Sequence, residues 1–329
     1  MALAVIRFDL RSAAWSPVAR AELYAACLDQ ARYADEHGFD MLVLSEHHGD
    51  PDGYLPSPLV LGGAIAGRTE RIPMFVSALL VPLHDPIRLA EDLAVLDLVS
   101  RGRVTYVTGI GYRPGEYHLL RKDFHRRGKL LDESLEVMLQ AWTGEPFEYH
   151  GETVQVLPRP YSDPHPTIFI GGSAPVSAKR AARYGFGFFP SAEDPKLAEV
   201  YREECERLGK DPGMVMMPSG PVAVFVSEDP DRTWAEIGEY LLDDAMTYSS
   251  HLTDDMRSQA HAEATTVEDL RAEGVYRVVT PDECVALADE VGPFGGIVLH
   301  PLCGGTPLEH GWQSLELFTS KVLPRLRGS

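Results

Sequence analysis

Cysteine is scarce in this chain and scattered. The four copies in 329 residues, Cys27, Cys205, Cys284 and Cys303, form no Cys-x-x-Cys pair, which argues against a zinc ribbon and against a dithiol redox centre. Positive charge is also in deficit, with 30 Lys and Arg against 49 Asp and Glu and a formal charge of −19. Nucleic acid and anionic membranes both select clustered basic residues, so neither is an expected partner. The uncharged stretch from Ile72 to His84 falls short of the roughly 18 residues that mark a bilayer-spanning helix. Arg7 and Asp9 interrupt the amino-terminal apolar stretch too early for a secretory leader. The expectation is a cytoplasmic protein whose partner is a small organic molecule.

What is present is enough for a large core: 44% of the residues are hydrophobic, and the length suits one α/β barrel as well as two ordinary domains. Short apolar runs recur at Leu3–Phe8, Met41–Leu44, Met74–Val81, Val104–Val107, Ile168–Ile170, Phe186–Phe189, Val222–Val226 and Gly296–Leu299. Amphipathic stretches lie between them. Six carry a capping oxygen just before a proline, at Ser16-Pro17, Ser57-Pro58, Asp85-Pro86, Asp194-Pro195, Thr280-Pro281 and Thr306-Pro307, the order expected of a helix start. Thr280 with Glu283 and Thr306 with Glu309 add capping-box spacing. Strand and helix repeated eight times imply parallel strands with right-handed crossovers, which close most simply into a (β/α)8 TIM barrel. A doubly wound open sheet is the alternative, but Pro114 stands where a dinucleotide fingerprint would place a third glycine after Gly109 and Gly111.

Two segments break the rhythm. Phe147 to Val156 reads as a small hairpin turning at Gly151. Residues from about 227 to 276 read as an acidic, mostly helical insertion between strands seven and eight. Its Asp243, Asp244, Asp254, Asp255, Glu263, Glu268 and Asp269 leave little apolar surface, so the expectation is a weakly held lid over the barrel mouth. A fixed surface elaboration is the alternative.

Barrel enzymes build their sites at the carboxyl ends of the strands. Those ends carry Ser45-Glu46-His47-His48 after the second run, Ser77-Ala78 in the third, Thr108, Gly109 and Tyr112 after the fourth, Gly171-Gly172-Ser173 after the fifth and His300 after the eighth. Adjacent histidines point in opposite directions and no partner follows at ligand spacing, so no metal is expected. A histidine at a strand end also serves as a cap or as a satisfied core group. No Ser-His-Asp order, strand-end lysine or carboxylate pair supports acyl transfer, Schiff-base or glycosidic chemistry. A mouth poor in reactive groups but rich in glycine and hydroxyls suits a cofactor that carries the chemistry itself. The two glycines and Ser173, followed by a helix opening at Pro175 and carrying Ser177, offer backbone N–H groups and hydroxyls to one monophosphate. The alternative is a tight strand-to-helix turn, for which one glycine is enough.

Five stretches taken together resemble the bacterial luciferase-like flavin-dependent monooxygenase superfamily. They are Glu46-His47-His48, the block Pro86-x-Arg88-x-Ala90-Glu91-x-x-Ala94-x-Leu96-Asp97-x-x-Ser100-x-Gly102-Arg103, the Gly109-x-Gly111-Tyr112 turn, Gly171-Gly172-Ser173 and His300-Pro301. The resemblance runs from near residue 3 to near residue 326. It implies a single barrel domain over residues 1–329 that binds reduced flavin mononucleotide (FMN), supplied by a separate flavin reductase, or else the related deazaflavin coenzyme. The phosphate would sit at Gly172 and Ser173, near Gly171 and Ser177. The ring would lie across the mouth near Glu46, Thr108, Gly109 and Tyr112, supported by a non-proline cis peptide between Ser77 and Ala78. His47 would serve as base or hydrogen-bond partner, with His48 and His300 close by.

Where bioluminescent members carry a reactive cysteine this chain has Gly109, which argues against light emission. The Glu-His-His stretch looks more like the FMN-dependent monooxygenases than the deazaflavin-dependent dehydrogenases. The expected function is therefore oxygen-dependent oxidation of a small organic substrate; hydride transfer with the deazaflavin and a flavin-binding protein without catalysis are the alternatives. Tyr112, Tyr248 and Trp312 are candidate pocket walls. The resemblance further implies a homodimer through the Pro86–Val99 side, where Leu89, Leu93, Leu96 and Val99 form an apolar face.

Overall fold

The computed structural model describes residues 2–252, 257–293 and 295–328. Its strands are β1 (Leu3–Phe8), β2 (Met41–Leu44), β3 (Met74–Leu79), β4 (Val104–Thr108), β5 (Phe147–Tyr149), β6 (Glu152–Val154), β7 (Thr167–Gly172), β8 (Gly187–Pro190), β9 (Ala223–Val226), β10 (Tyr276–Val279) and β11 (Gly296–Leu299). Nine of them form one sheet in the order β10-β9-β11-β1-β2-β3-β4-β7-β8. Every recorded pairing in it is parallel. Helices supply the crossovers, as parallel neighbours require. β5 and β6 are the expected hairpin, antiparallel and turning through His150 and Gly151, both at positive φ.

The apolar runs seen in the sequence match eight of the sheet's strands. The ninth, β10, is an addition: Tyr276–Val279 pairs with Ala223–Val226 along the outer edge of β9. Side chains alternate across the sheet as the pleat dictates. Leu3, Val5 and Arg7 line a central cavity, while Ala4, Ile6 and Phe8 are fully buried in the main core with Leu23, Cys27 and Ala31 of the helix Arg20–Glu36. Residues of β1, β2, β7, β8 and β11 border the same cavity, so the sheet curls around one interior. Beyond β8, Phe188 N donates to Met214 O at 2.9 Å and Met216 N to Phe188 O at 3.0 Å. Among the described residues no ladder joins β8 to β9.

Four of the six proline-marked helix starts lie where the sequence places them. Asp85 caps Pro86–Ser100 by accepting from Ile87 N and Arg88 N, Asp194 caps Pro195–Arg207, Thr280 forms its capping box with Glu283, and Ser57 precedes Pro58–Ala66. The other two differ. The first helix begins only at Arg20, beyond Ser16, whose Oγ donates to Gly305 O at 2.6 Å and accepts from Val18 N at 3.2 Å. Thr306 is buried and donates to Pro301 O, which leaves Pro307 as the cap of Leu308–Leu317. On Pro86–Ser100, Leu89, Leu93 and Leu96 are buried in the chain's own core, so the apolar surface left open is Val95, Leu98 and Val99.

The insertion is held far more firmly than its acidity suggests. Trp234, Ile237, Leu241 and Ala245 of the helix Pro230–Ser250 pack with Ala223, Phe225, Tyr276 and Val278 in a core of their own. Asp244 is buried too, accepting from Arg11 Nη1 at 3.0 Å and from Tyr276 O–H at 2.6 Å. The expectation of a weakly held lid is therefore overturned for this helix, since each large apolar side chain buried there stabilises by about 1.5–3 kcal/mol. Asp254 and Asp255 lie outside the described residues. Among the described residues no helix is long and apolar enough to cross a membrane. Replacing the fully buried Leu241 with Ala should destabilise the protein by about 2–5 kcal/mol in urea unfolding. A loss under about 0.5 kcal/mol, the scale of a surface change, would show that the helix only rests on the barrel.

Candidate active site

Two buried carboxylates shape the mouth of the barrel. Glu46, just beyond β2, is 1% exposed. Its Oε2 accepts from Leu80 N at 2.6 Å, and its Oε1 lies 2.7 Å from His84 Nε2 and 3.0 Å from His48 Nε2. Burial alone would raise the carboxyl's pKa, but the hydrogen bonds from His48, His84 and Leu80 outweigh it and hold the group at about 2. Burial would likewise lower the pKa of His48, yet its hydrogen bond to Glu46 and that group's charge raise it above the ordinary value. The second carboxylate, Glu116, lies on the short helix Pro114–Leu119 after β4. Its Oε1 is 2.9 Å from His47 Nδ1 and accepts from His48 N at 3.0 Å. Beside it, Arg113 holds Asp50 through both terminal nitrogens; the pair outweighs burial and lowers the pKa of Asp50.

His47 is thereby fixed by its Nδ1, and its Nε2 has no hydrogen-bond partner among the described residues. Its ring centre lies 4.3 Å from that of Tyr54 and 5.7 Å from that of Tyr112. This edge opens on a cavity of about 1460 Å³. Ser45 Oγ and the Tyr112 hydroxyl, also on the cavity, are buried without a partner among the described residues. Buried polar groups in folded proteins are nearly always bonded, so such atoms in a cavity point to a ligand.

The Ser77–Ala78 peptide is cis, as the resemblance implies, and the β3–β4 register shifts between Ser77 and Leu79. Gly109 faces it: a Cβ there would stand 3.0 Å from Ala78 Cβ. At the end of β7, Gly172 has φ +144° and a Cβ would fall 2.3 Å from Ser177 Oγ, so only glycine fits between the strand end and the helix Pro175–Tyr184. Both Gly172 and Ser177 line the cavity with Gly171 and Ser173. Arg127 lines it as well, with Nε buried and unpartnered among the described residues. The next residue, Gly128, accepts from Arg180 of that helix at 3.3 Å, which ties Arg127 to the same corner.

The structure therefore brings together Glu46, His47, Ser77, Ala78, Gly109, Tyr112, Gly171, Gly172, Ser173 and Ser177 around one cavity. Three expected site residues lie elsewhere. His48 is turned to Glu46, Thr108 is fully buried and donates to Phe169 O at 3.1 Å, and His300 is 2% exposed with Nε2 3.3 Å from Asp9 Oδ1. Of the expected walls, Tyr112 and Tyr248 line the cavity, while Trp312 stacks edge-on against Tyr33 in the helical layer. The sequence reading missed Glu116, Arg127 and Arg7. An acidic residue in a first helical turn reads as ordinary dipole compensation, and neither arginine belongs to a pattern.

A family model described as luciferase-like monooxygenase matches residues 7–291. The chain belongs to this family. It is a luciferase-like oxidoreductase, with an α/β fold around a parallel sheet. It is 28% identical over 318 residues to an F420-dependent glucose-6-phosphate dehydrogenase of Segniliparus rotundus, covering 89% of this chain and 91% of that one. It is also 28% identical over 330 residues to the 4-hydroxyprotoasukamycin monooxygenase of Streptomyces nodosus subsp. asukaensis, covering 92% and 86%. Among solved structures, monooxygenase RslO1 from Streptomyces bottropensis superposes with a TM-score of 0.79 at 26% identity, covering 99% of this chain and 100% of that one. Family and relatives together support a flavin or deazaflavin coenzyme. The cavity fits one: Gly172, Ser177 and Arg127, whose Nε lacks a partner among the described residues, stand on its lining, as do the unpartnered hydroxyls of Ser45 and Tyr112.

The Glu46 network carries a pH signature. The depressed carboxyl contributes stability above its ordinary 4.5 that fades as pH falls toward 2. The raised His48 contributes below its ordinary 6.5 and loses that contribution as pH rises through its folded value. The gap in urea stability between the wild type and Glu46→Gln should accordingly be widest at about pH 5–6 and narrow on both sides. A gap that stays constant from pH 3 to 8 would remove the ion pair from the account.

Proposed function

We propose that the protein is an FMN-dependent monooxygenase, receiving reduced FMN from a separate reductase and oxidising a small organic substrate with molecular oxygen. The observation that carries this reading is the corner formed by Gly172, Ser173, Ser177 and Arg127. One guanidinium, two hydroxyls and a helix amino terminus suit a terminal monophosphate. The deazaflavin coenzyme continues past its phosphate into an acidic tail, and beyond Arg127 this end of the lining adds one arginine, Arg257, offset in charge by the carboxylate of Glu193, which leaves no further net positive charge to receive such a tail. That favours FMN.

Reduced flavin, when bound, supplies the electrons that activate oxygen. The chain supplies the rest. Arg127, Ser173 and Ser177 would hold the phosphate, and the Ser77–Ala78 and Gly109 wall would lie against the ring. Glu116 orients the imidazole of His47 so that Nε2 takes or gives a proton beside the substrate, as positioned histidines do near neutral pH. Met214, Phe189 and Val298 on the lining keep much of the cavity apolar and limit water.

Titration of one preparation with FMN, riboflavin and the deazaflavin coenzyme tests the cofactor. FMN should bind best, and Ser173→Asp, which sets a carboxylate where the phosphate would lie without disturbing the tight Gly172 turn, should weaken FMN severely while changing riboflavin little. Equal affinity for FMN and riboflavin, or a preference for the deazaflavin, would overturn the reading. In oxygen-dependent turnover of a panel of aldehydes, ketones and phenols, His47→Ala should lower the rate by roughly 100-fold with FMN affinity nearly unchanged. His48→Ala should cost less, and unchanged turnover in His47→Ala would remove His47 from the chemistry.

A further inference from the structure

The cavity is larger than one ligand needs. At about 1460 Å³ it exceeds the roughly 300–1,000 Å³ of an ordinary ligand pocket, and its depth has a different character from its mouth. Arg7 stands opposite Val43, two residues before Ser45, and so lies roughly 6–7 Å deeper along the strands. Leu3, Val5, Met41, Val43 and Val298 line the cavity around and below it. Arg7 brings a guanidinium into this apolar stretch of the lining.

A comparison with Arg11 on the same chain segment shows what is unusual. Arg11 is engaged on two sides: its Nε meets Asp52 Oδ2 at 2.7 Å and its Nη1 meets Asp244 O and Oδ1 at 2.9 and 3.0 Å, while its Nη2 is buried without a partner among the described residues. It clamps the insertion to the barrel. Arg7 makes one long hydrogen bond, Nη2 to Tyr54 Oη at 3.4 Å, and stands 3.6 Å from Asp9 Oδ2. Asp9 is shared, since its other oxygen accepts from Arg11 N at 3.2 Å and lies 3.3 Å from His300 Nε2. Nε and Nη1 of Arg7 have no hydrogen-bond partner among the described residues, and the side chain keeps 20% of its surface open. These donors face the open cavity, where an anionic oxygen can replace the water that solvates them. The cofactor's phosphate is not the group that uses them, because β1 and β7 are separated by β2, β3 and β4 in the sheet.

We infer that this inner chamber receives the organic substrate and that Arg7 recognises an anionic oxygen on it, a carboxylate or phenolate on an otherwise apolar molecule. The inference rests on the monooxygenase reading for the word substrate, but not for the binding itself. Tyr54 joins the two ends of the site: its hydroxyl meets Arg7 and its ring packs on His47. An oxygen held at Arg7 therefore sets the rest of the molecule against the histidine edge. A planar fork matched to a carboxylate supplies orientation as well as affinity.

The test uses protein loaded with oxidised FMN, titrated calorimetrically with 2-naphthoate and with 2-acetylnaphthalene, its neutral counterpart. Naphthoate should bind at least about tenfold more tightly, the scale of a charge-assisted hydrogen bond. Arg7→Gln should abolish that preference and Arg7→Lys should retain part of it, with FMN affinity unchanged in both. Equal affinity of the wild type for the two probes, or a preference that survives Arg7→Gln, would overturn the inference. So would naphthoate that competes with FMN, since the anion would then be at the phosphate corner. Failure of FMN to bind would instead strike the proposed cofactor, and the same two probes on the unloaded protein would still decide for or against Arg7.

Discussion

Glu46 is a carboxylate with almost no access to water, and much of the barrel mouth is arranged around keeping it charged. A buried ionised group survives only where hydrogen bonds replace its hydration. Here they come from His48 on its own loop and from His84 and Leu80 N beyond β3. Glu116 repeats the device from the next unit, binding His47 and the backbone of His48 from beyond β4. Three successive strand exits are thus tied by two acids. His47 stands at the junction, oriented by Glu116 at its Nδ1 and by the Tyr54 ring against its face.

The second electrostatic assembly works at the other side of β1. Asp9, Arg11, Asp52 and Asp244 join the amino-terminal strand to the helix Pro230–Ser250, and the apolar set around Trp234 and Leu241 packs on Ala223 and Phe225 of β9. The acidic surface of that insertion therefore says little about how firmly it is held. Its charges are distributed by face, and Asp244 is an acid recruited inward by an arginine.

Much of the fold was legible because parallel strands buried on both sides read as plain apolar runs and because proline after a capping oxygen marks a helix start. β10 escaped because Arg277 interrupts a four-residue strand that serves only as an outer edge. The Gly171–Ser173 end and the Ser77–Ala78 bond were legible from the family resemblance and the glycines. Glu116 was not, since a partner brought in from 69 residues away leaves no trace in local spacing. Nor was the fate of His48, Thr108 and His300: which way a polar residue turns at a strand end depends on which buried group is short of a bond. Arg7 and Asp9 show the limit most clearly. In the sequence they merely interrupt an apolar stretch, while in the fold one enters the cavity and the other leaves it for His300.

The tie between strand exits also sets how such a barrel can be recombined. The loops after β2, β3 and β4 exchange hydrogen bonds through Glu46 and Glu116 and behave as one cassette, so a chimera that imports any one of them alone strands a buried acid. Breaking a buried pair in that way typically costs about 3–5 kcal/mol, a large share of the roughly 5–15 kcal/mol that holds a domain together. The β7 exit, built from glycine backbone, two serines and the neighbouring Arg127, contains no buried acid that its neighbours must neutralise. Variation in what the barrel accepts can therefore enter piecemeal at the β7 exit, but only as a three-loop block around the histidine.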